Sequence, residues 1–146
     1  MNSATTPEFL SATSPFSWSV RVYWEDTDAG GIVYYANYLK FFERARTEWL
    51  RASGISQQDL RTQTGGMFVV SDAHVRYIKS AHMDDELRVT CTRLEQGRAS
   101  LTVHQQAWLT VSDHAVLMCE ARIRASWVNA LGKPARIPQD IQNKLI

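Results

Sequence analysis

The sequence predicts an α+β fold in which an antiparallel β-sheet wraps around one long α-helix. Three observations carry this. An apolar period of helical spacing starts near Asn37 and runs to a stop at Gly54. Four strand-like segments at hairpin spacing follow it, between Met67 and Val128. Pro15 and Pro134 bracket a stretch without proline, so long uninterrupted elements fit between them. A chain of 146 residues is one domain by length, and a hydrophobic fraction of 45% with 21% charged residues suits a globular protein.

Ser19 to Trp24 reads as the first strand, with Val20, Val22 and Trp24 alternating with Ser19, Arg21 and Tyr23. A polar turn from Glu25 to Gly31 follows. In the long helix Tyr38, Phe42, Ala45 and Trp49 share one face, with Leu39 and Leu50 beside them. Its polar face pairs Glu43 with Arg46, Arg44 with Glu48 and Glu48 with Arg51 at helical spacing, a solvated surface. Gly54 suits the helix end, and Ser56-Gln57-Gln58-Asp59 resembles the N-cap of a short second helix. The strands are then expected over Met67–Lys79, Glu86–Leu94, Arg98–Val111 and Ala115–Val128, with turns at 82–85, 96–97 and 112–114. Leu101, Val103, Gln105 and Ala107 share one face of the third of these. Residues 138–146 form a short terminal helix in this reading. A helix of ~25 Å with a broad apolar face needs the sheet to cover it, and a curved sheet does so. Such a sheet leaves edges, so pairing with another copy of the chain is expected.

Composition excludes several classes. Sixteen Lys+Arg against fifteen Asp+Glu leave a net charge of +1, so the overall balance points to neither nucleic acid nor an anionic membrane. No apolar run approaches the ~18 residues of a transmembrane helix. Residues 1–17 carry no Lys or Arg and no long apolar run, which argues against a signal peptide. They read as a flexible tail, and 18–146 as the single domain. Cys91 and Cys119 lie in apolar, β-branched surroundings without metal-ligand spacing and read as small buried side chains, in keeping with a reducing, cytoplasmic compartment. His74, His82, His104 and His114 form no metal-binding pattern, and neither a nucleophile elbow nor a P-loop occurs.

The chemistry-bearing segment is Trp24-Glu25-Asp26-Thr27-Asp28-Ala29-Gly30-Gly31-Ile32-Val33-Tyr34-Tyr35-Ala36-Asn37-Tyr38. Three carboxylates lie within four positions, two glycines permit close backbone approach, and a helix begins. The first N–H groups of a helix are unsatisfied and partly positive. A carboxylate beside them makes a hydrolytic pair: one group attacks or activates water, the other stabilises an oxyanion. The same pattern also serves simply to cap a helix.

The run EDTDAGGIVYYANYLKFFERARTEWLR resembles the signature of the hotdog-fold acyl-CoA thioesterases of the 4-hydroxybenzoyl-CoA thioesterase group, and in particular their YbgC-type, Tol-Pal-associated branch. The similarity extends from about Trp18 to Val128 and includes Tyr77 and the Asp84-Asp85 stretch. It implies a hotdog fold and hydrolysis of acyl-CoA thioesters to free acid and CoA. Asp28 matches the family's catalytic carboxylate, and the backbone N–H of Tyr35 the oxyanion donor. Gly31, Ile32, Val33 and Tyr34 would shape the turn, and Asp26 would fix it by hydrogen bonds. Tyr35 departs from the His found in several YbgC-type sequences; a backbone N–H survives that change and an imidazole role does not.

The phosphates of CoA call for Lys or Arg. Arg98 matches the basic stretch that holds the nucleotide in related enzymes, with Arg76 and Lys79 as further candidates. The resemblance implies no metal and no cofactor beyond the CoA of the substrate. It also implies a dimer, or a tetramer of dimers, and leaves acyl carrier protein open as an alternative donor. The rival reading is a non-catalytic acyl-CoA or acyl-carrier-protein binding module tied to the Tol-Pal system. A hotdog dehydratase is disfavoured because no histidine lies between Asp28 and Arg51.

Overall fold

The structure is a computed structural model that describes residues 15–145. The element order is β1 (Phe16–Arg21), a 3-10 turn (Trp24–Asp26), α1 (Asn37–Ala52), α2 (Gln57–Thr64), β2 (Met67–Tyr77), β3 (Glu86–Gln96), β4 (Ser100–Val111), β5 (His114–Val128) and α3 (Gln139–Lys144). The five strands form one sheet in the order β1-β3-β4-β5-β2, every neighbouring pair antiparallel. The expected α+β architecture and four hairpin-spaced strands are therefore present.

The helix α1 lies against β1 and β3. Phe41, Phe42 and Ala45 are fully buried on its inner face, with Tyr38, Trp49 and Leu50 beside them. Burial of each such phenylalanine contributes about 1.5–3 kcal/mol against leaving it exposed. The sheet supplies Leu87, Val89, Val103, Ala107 and Ile123 to the same core. Gly54, at φ +82°, ends α1 in the left-handed conformation, and the Ile55 N–H closes the turn onto the Leu50 carbonyl at 2.9 Å. The Ser56 hydroxyl accepts the Asp59 N–H at the start of α2, as its sequence suggests.

Four expectations need correction. The first strand starts earlier and stops sooner than its alternation implies: Phe16 pairs with Cys91 and Arg21 with Glu86, while Trp24 sits in the 3-10 turn, 81% exposed. The expected tail over 1–17 thus gives up Phe16 and Ser17 to β1, and residues 1–14 lie outside the described residues. Leu39 is exposed, and Phe41 takes the buried place, because the sheet covers the helix on that side. Of the three helix-surface pairs only Arg51–Glu48 forms, at 3.3 Å. Arg46 turns inward instead, donating to Gln105 Oε1 at 2.9 Å, and Arg44 lies over the Phe41 ring, 5.7 Å from its centroid. Arg98 precedes β4 rather than opening it.

Cys91 and Cys119 are free and buried as expected. Removal from water pushes both thiols up to about 12.

Candidate active site

The segment from Tyr23 to Asn37 folds into a tight loop that ends at the start of α1. Asp26 ties it together and is 4% exposed. Its Oδ2 accepts the Tyr23 N–H at 2.8 Å, and its carbonyl accepts both the Tyr34 N–H and the Asn37 side-chain amide at 2.9 Å. One residue thus joins the start of the loop, its end and the first residue of the helix. That is the structural role the sequence assigns to it.

Asp28 stands on the outer turn of this loop, exposed to solvent. The Gly31 N–H donates to its carbonyl at 3.0 Å, and its own N–H donates to the Ile32 carbonyl at 2.9 Å. The Gly30 N–H donates to Asp28 Oδ1 at 2.8 Å. The second carboxylate oxygen has no protein partner among the described residues, so it is free to act on a bound molecule. The two glycines serve different ends. Gly31 adopts φ +78°, which glycine reaches without strain. Gly30 provides space, because a Cβ there would lie 3.1 Å from Asp28 Oδ1.

The loop docks on the connection between β2 and β3. Ile32 bridges to His82, and the Val33 N–H donates to the Ala81 carbonyl at 2.9 Å. This brings Tyr34 and Tyr35 to the end of β2. The Tyr35 ring meets Tyr34 edge-on at 5.0 Å and Tyr77 edge-on at 5.9 Å. Tyr38 lies 5.9 Å from Tyr77 and accepts the Ala81 N–H on its hydroxyl at 3.3 Å. Desolvation raises the Tyr38 and Tyr77 phenols above their ordinary range, which keeps both neutral. Helix α1 has no side-chain cap, and the N–H groups of Tyr35 and Ala36 find no acceptor among the described residues. They stand where the positive end of the helix dipole is strongest.

Beside these groups lies a depression of about 190 Å³ lined by Ile32, Val33, Tyr35, Tyr38, Tyr77, Ile78, Lys79 and Ser80. A carboxylate, an open backbone donor, aromatic walls and one lysine thus share this end of the sheet.

The other two cations stand apart. Arg76 neighbours Tyr77 on β2 and so projects to the opposite face of the sheet. It pairs there with Glu120 at 3.0 Å. Arg98 lies in the β3–β4 turn, where its carbonyl accepts the Ile137 N–H at 2.7 Å. The Asp28 loop adjoins the other end of β3, since the Val22 N–H donates to the Asp85 carbonyl at 2.8 Å. Glu86 and Gln96 mark the two ends of that strand, roughly 33 Å apart when extended. Within one chain Arg98 and Asp28 are therefore not neighbours. The stacking of Tyr77 on Tyr35 carried no sequence signal, because the two are distant in the chain and only the bridges around Ala81 and His82 bring them together.

A buried carboxylate clamp, an exposed carboxylate and a free helix N-terminus beneath an antiparallel sheet define a class, and the comparisons agree with it. Residues 22–145 match the model of the thioesterase-like superfamily. The acyl-CoA thioesterase YbgC of Haemophilus influenzae is 39% identical over 129 residues, covering 87% of this chain and 91% of that one. The acyl-CoA thioester hydrolase YbgC of Escherichia coli is 41% identical over 130 residues, covering 88% and 94%. Among solved structures, a protein of Aquifex aeolicus superposes with a TM-score of 0.81 at 30% identity, covering 90% of this chain and 100% of its own. A 4-hydroxybenzoyl-CoA thioesterase, as an Asp-to-Asn mutant bound to 4-hydroxybenzoyl-CoA, has a TM-score of 0.84 at 18% identity, covering 89% and 97%, and speaks for the fold alone. This chain belongs to the thioesterase-like superfamily, in its YbgC-type branch. The expected hotdog fold and enzyme class, a thioester hydrolase, are borne out by these matches.

Proposed function

We propose that this chain hydrolyses acyl-CoA thioesters to the free acid and CoA, with Asp28 and the Tyr35 N–H as the reacting pair. The observation that carries the reading is the exposed Asp28 carboxylate, one oxygen held by Gly30, on the same loop as a backbone N–H without an acceptor among the described residues. The thioester oxygen accepts the Tyr35 N–H, and the bond strengthens as negative charge gathers on that oxygen. The free Asp28 oxygen either attacks the carbonyl carbon or takes a proton from the attacking water. The carbon–sulfur bond breaks and CoA leaves as thiolate, which takes up a proton; where Asp28 has attacked, water then hydrolyses the acyl–Asp28 anhydride, and by either route the acid departs as carboxylate and Asp28 is regenerated. The reaction needs water and the substrate's own CoA, and no separate cofactor. The relatives' names supply the acyl-CoA substrate class.

The reading includes a homo-oligomer. The strand β2 is an edge of the sheet, 11 residues long, with Met67, Val70 and Tyr77 exposed along it. An antiparallel pairing of β2 with a second copy sets the Met67 end of one chain against the Tyr77 end of the other. Arg98 of the partner subunit then approaches the Asp28 end of the first chain, where it can hold the phosphates of a CoA ester with Lys79. Arg76 is a weaker contact in this scheme, since Glu120 already pairs with it. A cytoplasmic location suits two free thiols and an acyl-CoA substrate. No helix among the described residues is long and apolar enough to cross a membrane.

The test is thiol release from short, medium, long and benzoyl acyl-CoAs, with matching acyl-carrier-protein thioesters alongside. Turnover of the CoA esters is expected. Binding without release on every ester would move the chain to a binding-module role.

A further inference from the structure

The open N–H of Tyr35 sits in the middle of a turn. The Asn37 N–H donates to the Tyr34 carbonyl at 2.8 Å, which closes the chain over Tyr35 and Ala36. Ala36, at φ −70° and ψ −20°, already has helical backbone. The direction of the Tyr35 N–H is therefore set by how Tyr34 and Asn37 are held.

Both ends of the turn hang on one atom. The Asp26 carbonyl oxygen accepts the Tyr34 N–H and the Asn37 Nδ2 amide, each at 2.9 Å. A carbonyl oxygen has two lone pairs, and here both are used. Asp26 is itself fixed: its N–H donates to the Tyr23 carbonyl at 3.0 Å, and its carboxylate accepts the Tyr23 N–H at 2.8 Å. The Thr27–Val33 bridge and the Asp28 N–H, which donates to the Ile32 carbonyl at 2.9 Å, make the segment a hairpin. Asp28 stands on its first arm and Tyr35 just past its second, and the Asp26 carbonyl joins the two. The bond from Tyr34 is backbone and survives any side chain. The bond from Asn37 depends on its carboxamide.

That carboxamide does not cap the helix. An asparagine that caps a helix stands at the Ncap position and accepts an N–H of the first turn. Asn37 is the first residue inside α1, and its amide donates backward to the loop. Alanine has the higher helix propensity at such a place, so the helix itself gains nothing from asparagine.

We infer that Asn37 is a positioning residue: its carboxamide, bonded to the Asp26 carbonyl, aims the Tyr35 N–H at the oxygen of a thioester whose carbon faces Asp28. The inference rests on the reading of Asp28 and Tyr35 as the reacting pair, and adds the side chain that sets one against the other.

The test is a double-mutant cycle with Asn37→Ala, Tyr35→Pro and the two combined, on whichever of the short, medium, long and benzoyl acyl-CoAs releases thiol fastest. Asn37→Ala is expected to lower kcat about tenfold, because a donor displaced by a fraction of an ångström loses part of its hold on the oxyanion, with KM and melting temperature nearly unchanged. In the Tyr35→Pro background, where the N–H is gone, the same substitution is expected to cost nothing further. A second readout needs no turnover: the carbonyl stretch of the same ester bound to Asp28→Asn, followed by infrared difference spectroscopy. The Tyr35 N–H lowers that frequency, and adding Asn37→Ala is expected to return part of the shift, whereas a purely structural residue would leave the band in place. An unchanged kcat in Asn37→Ala beside an impaired Tyr35→Pro would overturn the inference and leave the reacting pair standing, as would an equal loss in both backgrounds. Full activity in Tyr35→Pro, or no thiol release from any ester by the wild type, would overturn both.

Discussion

Gly30 donates its N–H to the Asp28 carboxylate at 2.8 Å, and a side chain on Gly30 would press on that same oxygen, 3.1 Å from its Cβ. The glycine therefore both orients the carboxylate and leaves it room. In Gly30→Ala the carboxylate must yield by a fraction of an ångström, and misplacement by ~1 Å costs about 10²-fold in rate. A several-fold to ~tenfold fall in kcat is expected, with KM and melting temperature nearly unchanged. Steady-state kinetics beside a thermal melt check this. An unchanged kcat would mean that the carboxylate position is not critical.

At Tyr35 the backbone is assigned the work, and two substitutions separate it from the side chain. Tyr35→Ala keeps the N–H and should retain kcat within about tenfold. Tyr35→Pro removes the N–H, and loss of one oxyanion donor costs about 10²–10³ in kcat. Circular dichroism confirms that both fold. Equal rates in the two variants would take the N–H out of the mechanism.

If Arg98 serves the substrate of a neighbouring chain, its effect is confined to esters that carry the nucleotide. Arg98→Ala should raise KM for acyl-CoA several-fold while leaving small thioesters without phosphates unaffected. Mixed with Asp28→Asn, it should restore part of the CoA-ester turnover, because a hybrid dimer keeps one site with both residues. Equal effects on both substrate types would make Arg98 a structural residue.

The two thiols give a pH signature. In the folded state both are raised to about 12 from an ordinary 9.0. Their protonated forms therefore bind protons more tightly folded than unfolded. Stability from this source is complete below pH ~9 and is lost as pH rises through 9 toward 12. Denaturant midpoints should be level across pH 7–8.5 and fall above it, and Cys91→Ala with Cys119→Ala should flatten the fall. Iodoacetamide at pH 8 should label neither thiol until the protein unfolds.

Much of this fold is legible in local pattern. The alternation of Leu101, Val103, Gln105 and Ala107 names the inner face of β4, and all four are buried. The helix start at Asn37 and its stop at Gly54 are read from residue type alone. The departures share one cause, which is a partner far along the chain. Phe16 joins β1 because it pairs with Cys91. Phe41 rather than Leu39 is buried because of where the sheet curls. Arg46 leaves its surface neighbour for Gln105, 59 positions away. In the site, the places of Asp26 and Asp28 follow from one short loop, whereas the place of Tyr77 depends on how that loop docks between β2 and β3. The separation of Arg98 from Asp28 is set by the direction of β3, which no local pattern gives.

The account turns on Asp28, and its exposure makes the test clean, since replacing an exposed carboxylate by its isosteric amide leaves the packing alone. Thiol release by Asp28→Asn, measured beside the wild type with melting temperature and acyl-CoA binding as controls, is the most direct measurement. A fall in kcat of about 10³-fold or more with folding and binding intact is the predicted result. Turnover within tenfold of the wild type would contradict the account and remove Asp28 from the chemistry.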